Sequence, residues 1–165
     1  MKLRALLTLV SLIIAQPAFS AYAYCRSITI GDTTQVPSAQ TRFPILFSST
    51  LDSTHVTNSS GYDIIFTSDS TCATKLDHEI EMYTATTGLV NFWFRVGTVS
   101  HTSDTVVYLC YGNAAISTSQ ENVTGVWDSN FKGVWHFPNG STLTANDSTS
   151  NGNNGTLSNA PTAVA

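Results

Sequence analysis

The sequence predicts an all-β protein, an antiparallel β-sandwich or jelly roll, followed by an incomplete second jelly-roll module. Three observations carry this. Apolar residues recur with period two in short runs, the spacing that puts them on one face of a strand. Gly61, Gly88 and Gly112-Asn113, set among Ser and Thr clusters, punctuate those runs as turns. Only 11% of the residues are charged, against about a quarter in an ordinary globular chain. Polarity comes instead from 20 Ser, 24 Thr and 11 Asn, a mix that suits a secreted β-rich protein and excludes a coiled coil or a highly charged disordered chain.

The strands follow in order. Arg26 to Ile30 alternates and stops at Gly31-Asp32. Phe43 to Phe47 is a short apolar run, and Pro44 within it marks an edge or a strand start, because proline has no N–H for the ladder. Tyr62 to Thr67 is the third run, and Leu76 to Tyr83 alternates strictly. Leu89 to Val96 is the fifth, with Val90, Phe92, Phe94 and Val96 on one face and Asn91, Trp93 and Arg95 on the other. Thr105 to Tyr111 is the sixth. Such a set of short strands between polar turns argues for stacked sheets.

After residue 113 the texture changes. Residues 114–130 form a small, polar connector. Residues 131–165 carry a second aromatic group, Phe131, Trp135, His136 and Phe137, and then three Asn-Gly tight-turn signals. A sandwich begun at Phe131 cannot close on these 35 residues, so the second module is expected to be truncated.

At the other end, Lys2 and Arg4 precede an apolar run from Ala5 to Ala15, then Pro17 and small residues. That order is a secretory signal peptide, residues 1–23, with cleavage favoured after Ala23 and Ser20 as the second choice. The run is shorter than the roughly 20 residues a membrane span needs, and no later stretch reaches that length, so no membrane anchor is expected. Removing Lys2 and Arg4 leaves five basic residues against 11 acidic, a charge of −6, which argues against a nucleic-acid partner.

Export permits disulfides. Cys25, Cys72 and Cys110 allow at most one within the chain, and their spacing fits neither a zinc knuckle nor a thioredoxin-like motif. Cys110, inside an apolar strand, reads as a small packed hydrophobe. Whether any pair forms is left open by the sequence.

Two constellations are candidate sites. Asp77, Glu79 and Glu81 alternate along one strand face, neighbours about 6.5 to 7 Å apart. They suit a calcium ion, which favours several oxygens, or a glycosidase carboxylate pair. The same spacing also describes a solvated strand face. Trp93, flanked by Asn91 and Arg95, presents a flat apolar ring between an amide and a guanidinium, the chemistry of a sugar platform. Alternatively, Trp93 packs against a neighbouring element. Trp127 and Trp135 read as core or interface aromatics. His55, His78, His101 and His136 show no zinc spacing, and His78 should face the core side with Leu76 and Ile80. There is no nucleophile elbow and no phosphate-binding glycine loop.

The stretch Tyr24-Cys25-Arg26-Ser27-Ile28, with Phe43-Pro44-Ile45-Leu46, Gly61-Tyr62-Asp63-Ile64-Ile65-Phe66, Leu76-Asp77-His78-Glu79 and Val107-Tyr108-Leu109-Cys110-Tyr111-Gly112-Asn113, resembles the bacterial family called domain of unknown function 2341, over residues 24–113. Cys25 and Cys110 stand where that family often has aromatic residues. The part from Gly133-Val134-Trp135-His136-Phe137 through Asn146-Asp147-Ser148 to Thr156 resembles the opening of a concanavalin A-like (laminin G-like) jelly roll. These resemblances imply an exported, modular architecture and supply no reaction.

The leading expectation is a secreted or cell-surface recognition module, non-catalytic, taking a polysaccharide or cell-surface glycan, with no cofactor unless calcium. A polysaccharide hydrolase using carboxylates among Asp63, Asp77, Glu79 and Glu81 is the enzymatic alternative. A structural spacer or adhesin segment is the third.

Overall fold

A computed structural model describes residues 21–31, 36–137, 143–159 and 161. The expected export signal falls largely on residues 1–20, outside the described residues. All six expected strands form: β1 (Tyr24–Ile30), β2 (Gln40–Thr50), β3 (Ile65–Thr67), β4 (His78–Thr84), β5 (Leu89–Val99) and β6 (Thr105–Tyr111). One short helix, α1 (Val123–Val126), follows them.

They make two antiparallel three-stranded sheets, ordered β1-β6-β3 and β2-β5-β4. Pro44 sits inside β2 opposite Arg95 and is tolerated because β2 is the edge of its sheet. The two sheets share one core. Phe66 of β3 stacks on Phe94 of β5 with ring centroids 4.3 Å apart, and Phe92, Leu109 and Tyr111 join them. The apolar face expected for β5 is the buried one: Val90, Phe92 and Phe94 are inaccessible, while Asn91, Trp93 and Arg95 point the other way and stay partly accessible. His78 also points into the core, against Phe66 and Phe92. Its Nε2 has no hydrogen-bond partner among the described residues.

Two strands depart from the sequence pattern. β3 is shorter than Tyr62–Thr67 because Asp63 is diverted from the ladder. Its carboxylate accepts from the amides of Thr57, Asn58 and Gly112, pinning the preceding loop to the end of β6. β4 carries a bulge between Ile80 and Met82. The bulge adds Glu81 without an opposite partner and breaks the strict alternation read from the sequence. The hairpin from β4 to β5 needs Gly88, whose φ is +74° and whose N–H caps Thr84. A side chain there would also run into the Leu51 carbonyl oxygen at 2.0 Å.

Cys110 is fully buried, as expected of a packed hydrophobe, but its sulfur is bonded to Cys72. Pairing of Ile65 with Cys110 in the β3–β6 ladder brings the 68–75 loop over β6 and so makes the partner, which no sequence spacing reveals.

Candidate functional site

Asp77, Glu79 and Glu81 project from the outer face of the β2-β5-β4 sheet, beside Trp93 and Arg95 of β5, and Glu79 stands directly opposite Trp93 in the ladder. Residues 121–137 and 143–148 fold back over this face. The Asn122 amide donates to the His78 carbonyl, and Glu121 accepts from the Ile80 N–H at 2.7 Å, beside the bulge. Gly125 allows the close approach of α1. A Cβ at that position would stand 2.4 Å from the Asn122 side-chain nitrogen and 2.8 Å from Asp77 Cγ.

The fold-back delivers donors to each carboxylate. Asp77 is paired with Arg95 and accepts from Asn122 Nδ2 at 2.7 Å. Glu79, though it is on the outer face, is buried. It accepts from Trp127 Nε1 at 2.8 Å and from the Ser148 hydroxyl, and lies 3.2 Å from His136 Nε2. Glu81 accepts from Trp93 Nε1 at 2.6 Å and lies 3.3 Å from His136 Nδ1. His136 therefore sits between two carboxylates, one on each ring nitrogen, and only the doubly protonated imidazolium can donate to both. Around it the Trp93 and Trp127 rings meet at 5.1 Å, and Phe131 packs edge-on against Trp127.

Ser148 is positioned by its neighbour. Asp147 accepts from the amides of Val134, Thr149 and Asn153, closing the 143–153 loop onto the chain at Val134. Desolvation raises the Asp147 pKa, but those amides outweigh it and hold the carboxyl at about 2. Ser148 N–H donates back to the Val134 carbonyl at 2.8 Å.

The electrostatics agree with the geometry. Burial pushes Glu79 up, yet the bonds from His136, Ser148 and Trp127 more than offset this, and its pKa falls below the ordinary value. Burial pushes His136 down, but its contact with Glu79 and the charges of Glu79 and Glu81 carry it above 6.5. His78 is moved the other way, to about 4, chiefly by burial.

These shifts fix a pH profile. Glu79 contributes stability above its unfolded value of 4.5 and loses it as pH falls through the folded value. His136 contributes fully below 6.5 and loses it as pH rises through the raised folded value. His78, neutral when folded, contributes above 6.5, and about 3 kcal/mol is lost as pH falls toward 4. Thermal midpoints should therefore peak near pH 6.5, and His136→Gln should flatten the alkaline limb and, by removing a contact that lowers Glu79, weaken part of the acid limb. An alkaline limb of undiminished slope in that variant would remove His136 as its source.

A cleft of about 260 Å³ opens beside the cluster, lined by Glu79, Glu81, His136, Thr144, Asn146 and Ser148. Its chemistry is that of acceptors, an amide and hydroxyls. Ser148 bonds Glu79 and is not bonded to His136, so the three do not form a serine–imidazole–acid relay. Glu79, with a lowered pKa, is suited to stay ionised and not to protonate a leaving group, which needs a raised one. Of the residues expected from sequence, Glu79 and Glu81 line this cleft, Trp93 bonds Glu81 beside it, and the Asp77–Arg95 pair lines a separate hollow with Arg42 and Lys75; each is already engaged by a protein partner. Asn91 lies further along β5, opposite Met82. Among the described residues, the one group of three metal-ligand atoms within 4.8 Å is Cys25, Cys72 and Cys110. Sequence reasoning placed Trp127 as a core or interface aromatic, which its burial supports, but did not bring it, His136 or Ser148 to the acidic strand. The available signal was an aromatic group with a histidine following a strand with acids on its outer face.

Fold and site together define an all-β sandwich whose outer acidic strand is roofed by its own downstream chain through a carboxylate–imidazolium–indole cluster. The domain of unknown function family DUF2341 matches residues 60–151. The chain belongs to that family. The match covers residues 60–113 of the stretch that resembles the family in sequence, and continues through the connector to include His136 and Ser148. No family match covers a concanavalin A-like continuation. No curated protein and no solved structure matches the chain.

Proposed function

We propose that this protein is a non-catalytic recognition module, exported to the cell surface or medium, that binds a hydroxyl-rich glycan in the cleft over β4. The observation that supports this most is the cleft lining. Glu81, held by His136, and Asn146 set a carboxylate and an amide around a space open to solvent. Sugar hydroxyls both donate and accept, so a site offering both kinds of partner at fixed positions suits them. The lowered pKa of Glu79 counts against its acting as a proton donor in hydrolysis. Trp93 acts in this reading by fixing Glu81 through its indole N–H and packing on Trp127; it is not an open stacking platform.

The test is glycan-array screening followed by calorimetry on the hit. Asn146→Ala and Glu81→Gln should each weaken binding by roughly tenfold, the loss of about one hydrogen bond to a polar ligand, with the β-type circular-dichroism spectrum retained. Binding unchanged in both variants would remove the cleft as the site. Release of reducing sugar ends from the bound glycan would replace this reading with the hydrolase.

A further inference from the structure

Cys25 is the one free cysteine among the described residues, and it is exposed. It is also directly opposite Cys110 in the β1–β6 ladder. Its Sγ lies 3.7 Å from Cys110 Sγ, which is itself bonded to Cys72. All three sulfurs fall within 4.8 Å of one another.

We propose that Cys110 is shared between two alternative disulfides, and that Cys25 and Cys72 exchange for it within the folded chain. The Cys25 thiolate attacks Cys110 Sγ. The Cys25–Cys110 bond forms, the Cys110–Cys72 bond breaks, and the electron pair leaves on Cys72 Sγ, which takes up the proton lost by Cys25. One disulfide and one thiol are present before and after, so no oxidant or reductant is consumed.

Both pairings fit the fold. Residues directly opposite in an antiparallel ladder have Cα atoms about 4.5 to 5.5 Å apart, inside the disulfide range of about 4.4 to 6.8 Å. The loop that carries Cys72 keeps its shape without the bond. Asp69 accepts from the amides of Thr71, Ala73 and Thr74, Ser68 N–H donates to Thr74 O, and Leu76 N–H donates to Phe66 O. Cys72 itself has φ +59°, a left-handed conformation that disfavours a non-glycine residue, and its side chain is bonded to Cys110 in a small apolar cluster with Ile65, Tyr22 and Tyr108. Exchange moves the chain's thiol from the edge strand β1 to the 68–75 loop, and moves the covalent tie from that loop to β1. Burial, with the Asp69 charge second, raises the Cys25 pKa, so exchange should quicken as pH rises.

The experiment is thiol mapping by mass spectrometry on the wild-type protein purified without reductant. Aliquots held at acid pH and at about pH 8.5, where an ordinary thiol is half ionised, are alkylated and digested under non-reducing conditions. Label confined to Cys25 is expected in the acid sample. At the higher pH, label at Cys25 should fall, matched by a gain at Cys72 and by a Cys25–Cys110 linked peptide, at a rate independent of protein concentration. Label confined to Cys25 at both pH values, or a rate that scales with concentration, overturns the proposal. In Cys72→Ser, air oxidation should leave no thiol and a single Cys25–Cys110 bond. Two persistent thiols in that variant, with the β spectrum intact, also overturn it; if the variant does not fold, the wild-type map decides.

Discussion

Glu79→Ala is expected to lower the unfolding free energy by about 3 to 5 kcal/mol, the cost of removing one member of a buried ion pair and stranding the other. The side chains of Glu79 and His136 are 9% and 13% exposed, so solvent does little to screen the loss. The substitution also leaves Trp127 Nε1 and the Ser148 hydroxyl without their acceptor. Each unmet buried donor adds to the penalty. The effect should be regional as well as global, because these contacts hold Trp127, His136 and Ser148 to the sheet. Limited proteolysis should cut the 143–159 loop early in the variant, while β5 stays protected. Chemical denaturation reads the magnitude. A double-mutant cycle with His136→Ala should return a coupling energy well above the few tenths of a kcal/mol seen between independent sites. A loss below about 1 kcal/mol, the ordinary scale of an exposed pair, would mean that the roof is held by something else.

Phe66→Ala should cost a similar amount, about 3 to 5 kcal/mol, for a different reason. Phe66 is fully buried and belongs to the three-residue strand β3. Its ring stacks on Phe94 and meets Phe47 and Phe92 at 5.6 and 5.9 Å. All three partners lie on the opposite sheet, so this one side chain carries much of the contact between layers. Truncation leaves a cavity that neither sheet can close without shifting its ladder. Equilibrium unfolding in urea measures it, and Phe66→Leu, which keeps most of the volume, should recover the larger part. A cost near that of a surface substitution would show that the layers are joined elsewhere. Against a typical total of about 5 to 15 kcal/mol, either variant removes a large share of stability.

The strands were legible because period two is a local property. The faces of β5 follow from residues 90–96 alone, and Pro44 announces an edge because proline cannot donate wherever it sits. The acids on β4 were legible for the same reason, as three carboxylates on one side. Their partners were not. Trp127, His136 and Ser148 lie 48, 57 and 69 residues from Glu79 in the chain. No periodicity links residues so far apart, and among the described residues the segment that bears two of them has no strand or helix to orient it. Residues 131–165 read as the start of another sandwich from their aromatic and Asn-Gly content. In space His136 and Ser148 pack on the first sandwich, and the family match runs through them.

The sequence by itself determined the all-β class, the six strands and the inward face of β5, since each depends on neighbours within a few residues. It also left Cys110 in an apolar strand, where burial was the natural expectation. Only the tertiary structure decided that Glu79 is a buried anion, that His136 is held between two carboxylates, and that Cys110 has one sulfur bonded to it and another 3.7 Å away. The physical reason is that a charge on an outward strand position is solvated unless distant chain covers it. Desolvation, pairing and thiol proximity all act through space at a few ångströms, and the path along the backbone does not record them.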